Sequence, residues 1–115
     1  MTAGPGARYL LREAVVNDLD SLAAYIQQDS PQAAIRFLEA AEETFGTLAQ
    51  MPELGGLFES RIAHFSDMRI WQIKGFPSIL VFYRPIQGAV EIVRVLHSAR
   101  DLAALFGEKD DQSAG

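Results

Sequence analysis

The chain has no cysteine, so it can form neither a disulfide framework nor a thiolate metal site. That absence suits a reducing compartment, and the cytoplasm is the expected location. Histidine occurs only twice, at His64 and His97, which excludes the paired-histidine zinc motifs. No glycine-rich phosphate loop is present, and neither cofactor nor metal is expected. No apolar run approaches the roughly 20 residues that a membrane span requires, so no membrane partner is expected. The start of the chain lacks the basic-then-apolar layout of a signal peptide and reads as a flexible lead. Repeats and low-complexity blocks are absent. Lysine is scarce as well, with only Lys74 and Lys109.

What remains is a chain of 115 residues, 49% hydrophobic and 22% charged, which can bury a core. It reads as one domain over residues 1–107, followed by a disordered polar tail at 108–115. The net charge is −5 and is unevenly distributed. Residues 1–60 hold three arginines against nine acids, whereas residues 61–107 hold six cations against three acids. The second half is therefore a mildly basic surface on an acidic molecule. General nucleic-acid binding, which needs wide phosphate coverage, is not expected.

The hydrophobic pattern divides the chain into elements. Arg8 to Arg12 read as a short strand. Val15, Leu19, Leu22 and Ile26, with Ala23, form one stripe of an amphipathic helix. Ser30-Pro31 caps a second helix, since the hydroxyl satisfies an orphan amide and proline needs none at the first helical position. Its seam is read as Ala34, Leu38, Ala41, Phe45 and Leu48, and Met51-Pro52 ends it. The tight turn between the helices requires a helical hairpin. Residues 52–67 read as a loop in which Gly55-Gly56 gives backbone freedom. Three strands follow, at Met68–Ile73, Ser78–Arg84 and Ala89–Leu96. Glycine and proline at 74–77 and 85–88 imply antiparallel hairpins. A short helix is expected at Leu102–Phe106. The fold class is α+β, in the order β-α-α-β-β-β, with one sheet face packed on the hairpin. Function is expected on the opposite, less covered face.

The chemistry concentrates in Val90–Asp101, a β-branched strand with an arginine at its centre and a histidine at its end. Strand parity places Val90, Ile92, Arg94 and Leu96 on one face and Glu91, Val93, Val95 and His97 on the other. Arg94 and His97 can then share a face only if a bulge or the strand end re-aims one of them. Arg94 is read as half of an ion pair with Asp101 or Glu91, because a half-buried arginine needs a partner. Asp101 is alternatively the clamp of Arg100. Arg69, Arg84, Arg94, His97 and Arg100 are the candidates for meeting an anionic or protein target. In a metal-free phosphodiester cleavage, His97 would serve as acid or base and an arginine would hold the phosphate. His64 reads as structural or solvent-facing, and Glu42-Glu43 as surface.

Several pieces then fall in a familiar order: Asp18-Leu19, Tyr25-Ile26, Ser30-Pro31-Gln32-Ala33-Ala34, Phe37-Leu38, Leu48-Ala49-Gln50-Met51-Pro52 and Gly55. After them come Met68-Arg69, Leu80-Val81-Phe82-Tyr83-Arg84 and Val93–Asp101. On these the chain resembles the ParE/RelE superfamily of toxins from type II toxin–antitoxin systems, and most closely its ParE branch. The resemblance implies a compact toxin wrapped and neutralised by a cognate antitoxin, with Tyr25, Phe37 and Phe45 as candidate contacts. ParE-like members act on DNA gyrase. RelE-like members are ribosome-dependent mRNA endoribonucleases, a role for which Arg69 and His97 would be the catalytic candidates; a catalytic Glu would also be wanted, for which Glu53 or Glu59 is available but poorly placed in the sequence. The acidic balance and the two lysines count against that second activity. A third reading is a non-toxic relative that acts only as a complex partner.

Overall fold

A computed structural model describes residues 8–58 and 67–101. The elements are β1 (Tyr9–Leu11), α1 (Glu13–Gln27), α2 (Pro31–Gln50), β2 (Gly56–Leu57), β3 (Arg69–Ile73), β4 (Phe76–Ile86) and β5 (Ala89–His97). The five strands form one sheet in the order β1-β5-β4-β3-β2. β1 runs parallel to β5, and every other neighbouring pair is antiparallel. The α+β order read from the sequence stands, with the two-residue β2 added inside the expected loop. The expected helix at Leu102–Phe106, the tail at 108–115, His64 and Glu59 lie outside the described residues.

Local chemistry explains the helix boundaries. Ser30 has an extended backbone, its Oγ accepts from the Ala33 amide at 3.1 Å, and Pro31 occupies the first turn. α1 has no side-chain cap, but Glu13 puts a negative charge in its first turn, where the helix dipole favours one. The stripe of α1 falls where the periodicity puts it: Val15 and Leu22 are buried, and Leu19, Ala23 and Ile26 pack beside them. The seam of α2 differs from the one read above. Phe37 is buried, whereas Leu38 is 43% exposed. Both residues fit a helical period, and the fuller stripe through Ala34, Phe37, Ala41, Thr44, Phe45 and Leu48 takes the larger ring inside.

The helical hairpin covers one sheet face. Its core joins Val15, Leu22, Phe37, Phe45 and Leu48 to Ile73, Val81, Tyr83, Ile92 and Val95. The opposite face, expected to be the less covered one, carries its own smaller core of Met68, Phe82, Val93 and Leu96. The β3–β4 and β4–β5 connections are two-residue turns, with Gly75 at φ +81° and Gly88 at φ +75°. β4 is longer than its hydrophobic run because it accommodates Pro77 and Pro85 where a neighbour is missing or irregular. Pro85 lies beyond the last β3 pairing, Arg69 with Tyr83, and Pro77 lies between the pairs Ile73–Phe76 and Gln72–Leu80.

β5 contains the most consequential irregularity. Phe82 pairs with Arg94 and Tyr83 with Ile92, which leaves Val93 as the extra residue of a bulge. The alternation therefore breaks within the strand. Val90, Ile92 and Val95 join the helix-side core, and Val93 and Leu96 join the other. The face assignment read from simple parity is corrected here, because a single inserted residue reverses every later side chain.

A second anchor holds the loop after α2. The buried Tyr83 hydroxyl donates to the Pro52 carbonyl and accepts from the Gly55 amide, each at 2.8 Å. Gly55 is required for close approach rather than for flexibility. A Cβ there would sit 2.6 Å from the Ile70 carbonyl oxygen and 2.8 Å from the Tyr83 hydroxyl. Gly55→Ala should lower stability by about 2–3 kcal/mol through overpacking. Tyr83→Phe should lower it by about 1–3 kcal/mol, because it strands a buried amide. Urea midpoints at unchanged slope would measure both losses, and wild-type midpoints would contradict the anchor.

Candidate functional site

The segment from Arg94 to Asp101 meets one stripe of α1. Asp18, Ser21 and Tyr25 are spaced three and four apart, so they share a helical face. β1 ends at Leu11, opposite Ile92, and leaves the rest of that β5 edge without a strand. Asp18 occupies the vacated edge. Its carboxylate accepts from Arg94 Nε and Nη2 at 2.8 Å each and from the Val95 amide at 3.0 Å. This bidentate hydrogen bonding raises the Arg94 pKa above its usual value. The partner of Arg94 is therefore Asp18, not Asp101 or Glu91. No short-range signal joins two residues so far apart in sequence; the packing of α1 on β5 does.

Asp101 instead clamps Arg100 at 2.7 Å and accepts from the His97 amide at 2.7 Å. Burial alone would push the Asp101 carboxyl up, but these hydrogen bonds and the nearby positive charge hold it below its ordinary value. His97 Nδ1 accepts from the Ala99 and Arg100 amides, both at 3.2 Å. The ring thus satisfies backbone donors where the chain leaves β5. Tyr25 lies between these groups. Its ring meets His97 edge-on at 6.2 Å between centroids, and the Arg100 guanidinium stands 5.0 Å over it. Beside them opens a cavity of about 260 Å³ walled by Tyr25, Ile26, Phe76, Pro77 and His97.

The other candidates lie elsewhere. Arg69 donates to the Gly55 carbonyl at 2.6 Å and braces the loop that Tyr83 holds. Arg84 faces Asp67 at 3.5 Å and Glu91 at 3.8 Å. Arg69 pairs across the sheet with Tyr83, and His97 with Ile79. Two strand spacings and four residues along β4 then separate Arg69 from His97 by about 16 Å. Phe37 and Phe45 are 0% and 2% exposed, so burial in the core removes them as contacts for a partner, whereas Tyr25 is 47% exposed. Glu53 is exposed and has no role in this cluster.

Arg12 pairs with Glu91 at 2.9 Å and Lys74 with Glu43 at 2.8 Å. Every cationic candidate of the second half of the chain among the described residues is therefore engaged by an acid or a carbonyl of the same chain. Exposed pairs of this kind stabilise little, but they lower the positive potential offered to a phosphate. The arrangement suits recognition by shape, through an aromatic ring framed by a histidine and a neutralised arginine. Sequence reasoning missed Asp18 and Ser21 as parts of this cluster. The signal was available in their stripe with Tyr25, but nothing local tied that stripe to β5.

Comparison with known proteins bears on the fold and the family. No curated protein matches the chain. A solved structure described as a chromosomal ParDE toxin–antitoxin system from P. aeruginosa is similar in fold, with a TM-score of 0.62 at 16% identity. The alignment covers 82% of this chain and 98% of that one. The family model of the ParE toxin of type II toxin–antitoxin system, parDE, matches residues 9–102. That match spans both helices and all five strands, and the chain belongs to the ParE toxin family of type II toxin–antitoxin systems.

Proposed function

We propose that this toxin acts by binding DNA gyrase, that it does not cut RNA, and that a cognate antitoxin neutralises it by covering the surface that meets gyrase. The observation that carries this reading is the match over residues 9–102 to the family of the ParE toxin of type II toxin–antitoxin system, parDE. Two features of the site support it. The backbones of the catalytic candidates Arg69 and His97 are about 16 Å apart, and the Arg69 guanidinium is held on the Gly55 carbonyl rather than turned toward His97. The cations that would hold a phosphate are already paired within the chain. A binding inhibitor needs neither; it needs an exposed anchor, and the Tyr25 ring framed by His97 and Arg100 supplies one.

No helix among the described residues is long and apolar enough to cross a membrane. Action on gyrase places the protein in the bacterial cytoplasm, where that enzyme works. The antitoxin is a protein partner, and no cofactor enters the mechanism.

Purified protein should abolish negative supercoiling by gyrase, and Tyr25→Ala should raise the concentration needed about tenfold or more, as loss of a central aromatic anchor does. Normal supercoiling at saturating protein would overturn the reading. Cleavage of message in a translating extract, lost in Arg69→Ala and His97→Ala, would favour the ribonuclease reading instead. Induced expression should arrest growth, and co-expression of the antitoxin should restore it; unimpeded growth without antitoxin would mark a non-toxic relative.

A further inference from the structure

We infer that Asp101 is a positioning residue for the surface that meets gyrase: through Arg100 and His97 it fixes the Tyr25 ring, and Arg100 serves that ring rather than an anionic group on the target. This deepens the reading above and rests on Tyr25 as its anchor. The geometry begins with one carboxylate. Asp101 Oδ1 accepts from Arg100 Nε at 2.7 Å, and Oδ2 accepts from Arg100 Nη2 at 3.2 Å and from the His97 amide at 2.7 Å. One side chain therefore ties a guanidinium to the end of β5.

Both tied groups reach α1. Arg100 Nη2 donates to Ser21 Oγ at 3.5 Å, one turn before Tyr25, and the guanidinium carbon stands 5.0 Å from the centre of the Tyr25 ring. A cation over the ring face is attracted by its quadrupole. His97 meets the same ring edge-on, and its own ring is oriented by the Ala99 and Arg100 amides that donate to Nδ1. Tyr25 is half-exposed, and without these neighbours its ring would exchange between rotamers. A ring already fixed in the free protein loses less entropy when a partner covers it.

Charge decides what Arg100 does. Asp101 occupies two nitrogens of the guanidinium, and the pair carries no net charge. The bonds from Arg100 and the His97 amide hold the Asp101 carboxyl below its ordinary value against the effect of burial, so it stays ionised at neutral pH. An acidic group on gyrase would have to displace Asp101 to gain the same fork, and would be repelled by it on approach. A planar guanidinium lies over a ring while its edge bonds a carboxylate, a combination that the point charge of a lysine does not reproduce. The position therefore calls for an arginine that braces the ring.

Gyrase supercoiling assays on the full-length protein test this through a double-mutant cycle. Asp101→Asn and Arg100→Lys should each raise the concentration for half-inhibition at least fivefold. In a Tyr25→Ala background the same substitutions should add less than twofold, because the ring through which they act is gone. Nuclear magnetic resonance of ring-labelled tyrosine supplies the second readout, since the chain has only Tyr9, Tyr25 and Tyr83. The Tyr25 signals should move in both variants, while unmoved Tyr9 and Tyr83 signals establish that the core is kept. Inhibition within twofold of wild type by either variant would overturn the inference. So would losses that multiply fully with Tyr25→Ala, which would mean that Arg100 meets the target directly. A shift of all three tyrosines would mark a general structural role and overturn it as well. If the wild-type protein leaves supercoiling intact, the gyrase reading fails instead. The tyrosine signals then decide by themselves whether Asp101 fixes the ring, and an unmoved Tyr25 rejects it.

Discussion

The carboxylate of Asp18 does two tasks at once. It neutralises Arg94, and it accepts the Val95 amide on a strand edge that β1 is too short to cover. An amide left without an acceptor there would cost about as much as a lost hydrogen bond, and the arginine would lose its charge partner. Meeting both requirements with one side chain sets how α1 lies against β5. The rotation of α1 then carries Ser21 and Tyr25 to Arg100 and His97. The position of the exposed Tyr25 ring therefore depends on a contact made two turns earlier on the same helix.

The bulge at Val93 works with this contact. It lets Ile92 and Val95 both face the helices while Val93 and Leu96 fill the second core. A regular strand would have put either Ile92 or Val95 on the wrong side. Arg94 sits at this irregularity, where β1 no longer shields the edge. Tyr83, on the facing strand, extends the same logic to the far side of the sheet by holding the Pro52–Gly55 loop against β3. Two polar anchors, one at each flank, thus place the helical hairpin and the loop that follows it.

The charge distribution also takes its meaning from these pairs. By composition the second half of the chain is a basic surface. Among the described residues its arginines face acids or carbonyls: Arg84 meets Asp67 and Glu91, Arg94 meets Asp18, Arg100 meets Asp101 and Arg69 meets Gly55. Among the described residues, Glu39 and Glu42 on α2 are exposed acids outside these pairs. With its cations neutralised, the cluster presents the half-exposed Tyr25 ring rather than free positive charge.

Much of this fold was legible before any tertiary contact was known. Ser30-Pro31, the stripe of α1 and the glycines of the two tight turns are local signals, read within a few residues of where they act. The order of elements and the family resemblance rest on such signals, and both stand. Legibility failed wherever two local readings were equally good. Phe37 and Leu38 both suit a helical seam, and only the shape of the sheet below selected Phe37. A two-residue strand carries no period, so β2 was invisible. The bulge broke an alternation that nothing in Val90–His97 marks as broken. By itself the sequence determined which segments are helix or strand and that acids and arginines are available to pair. Tertiary structure alone decided that Arg94 takes Asp18, 76 residues away, over nearer acids. The physical reason is that backbone propensity and capping act over a turn or two, whereas charge pairing follows the distances that packing creates.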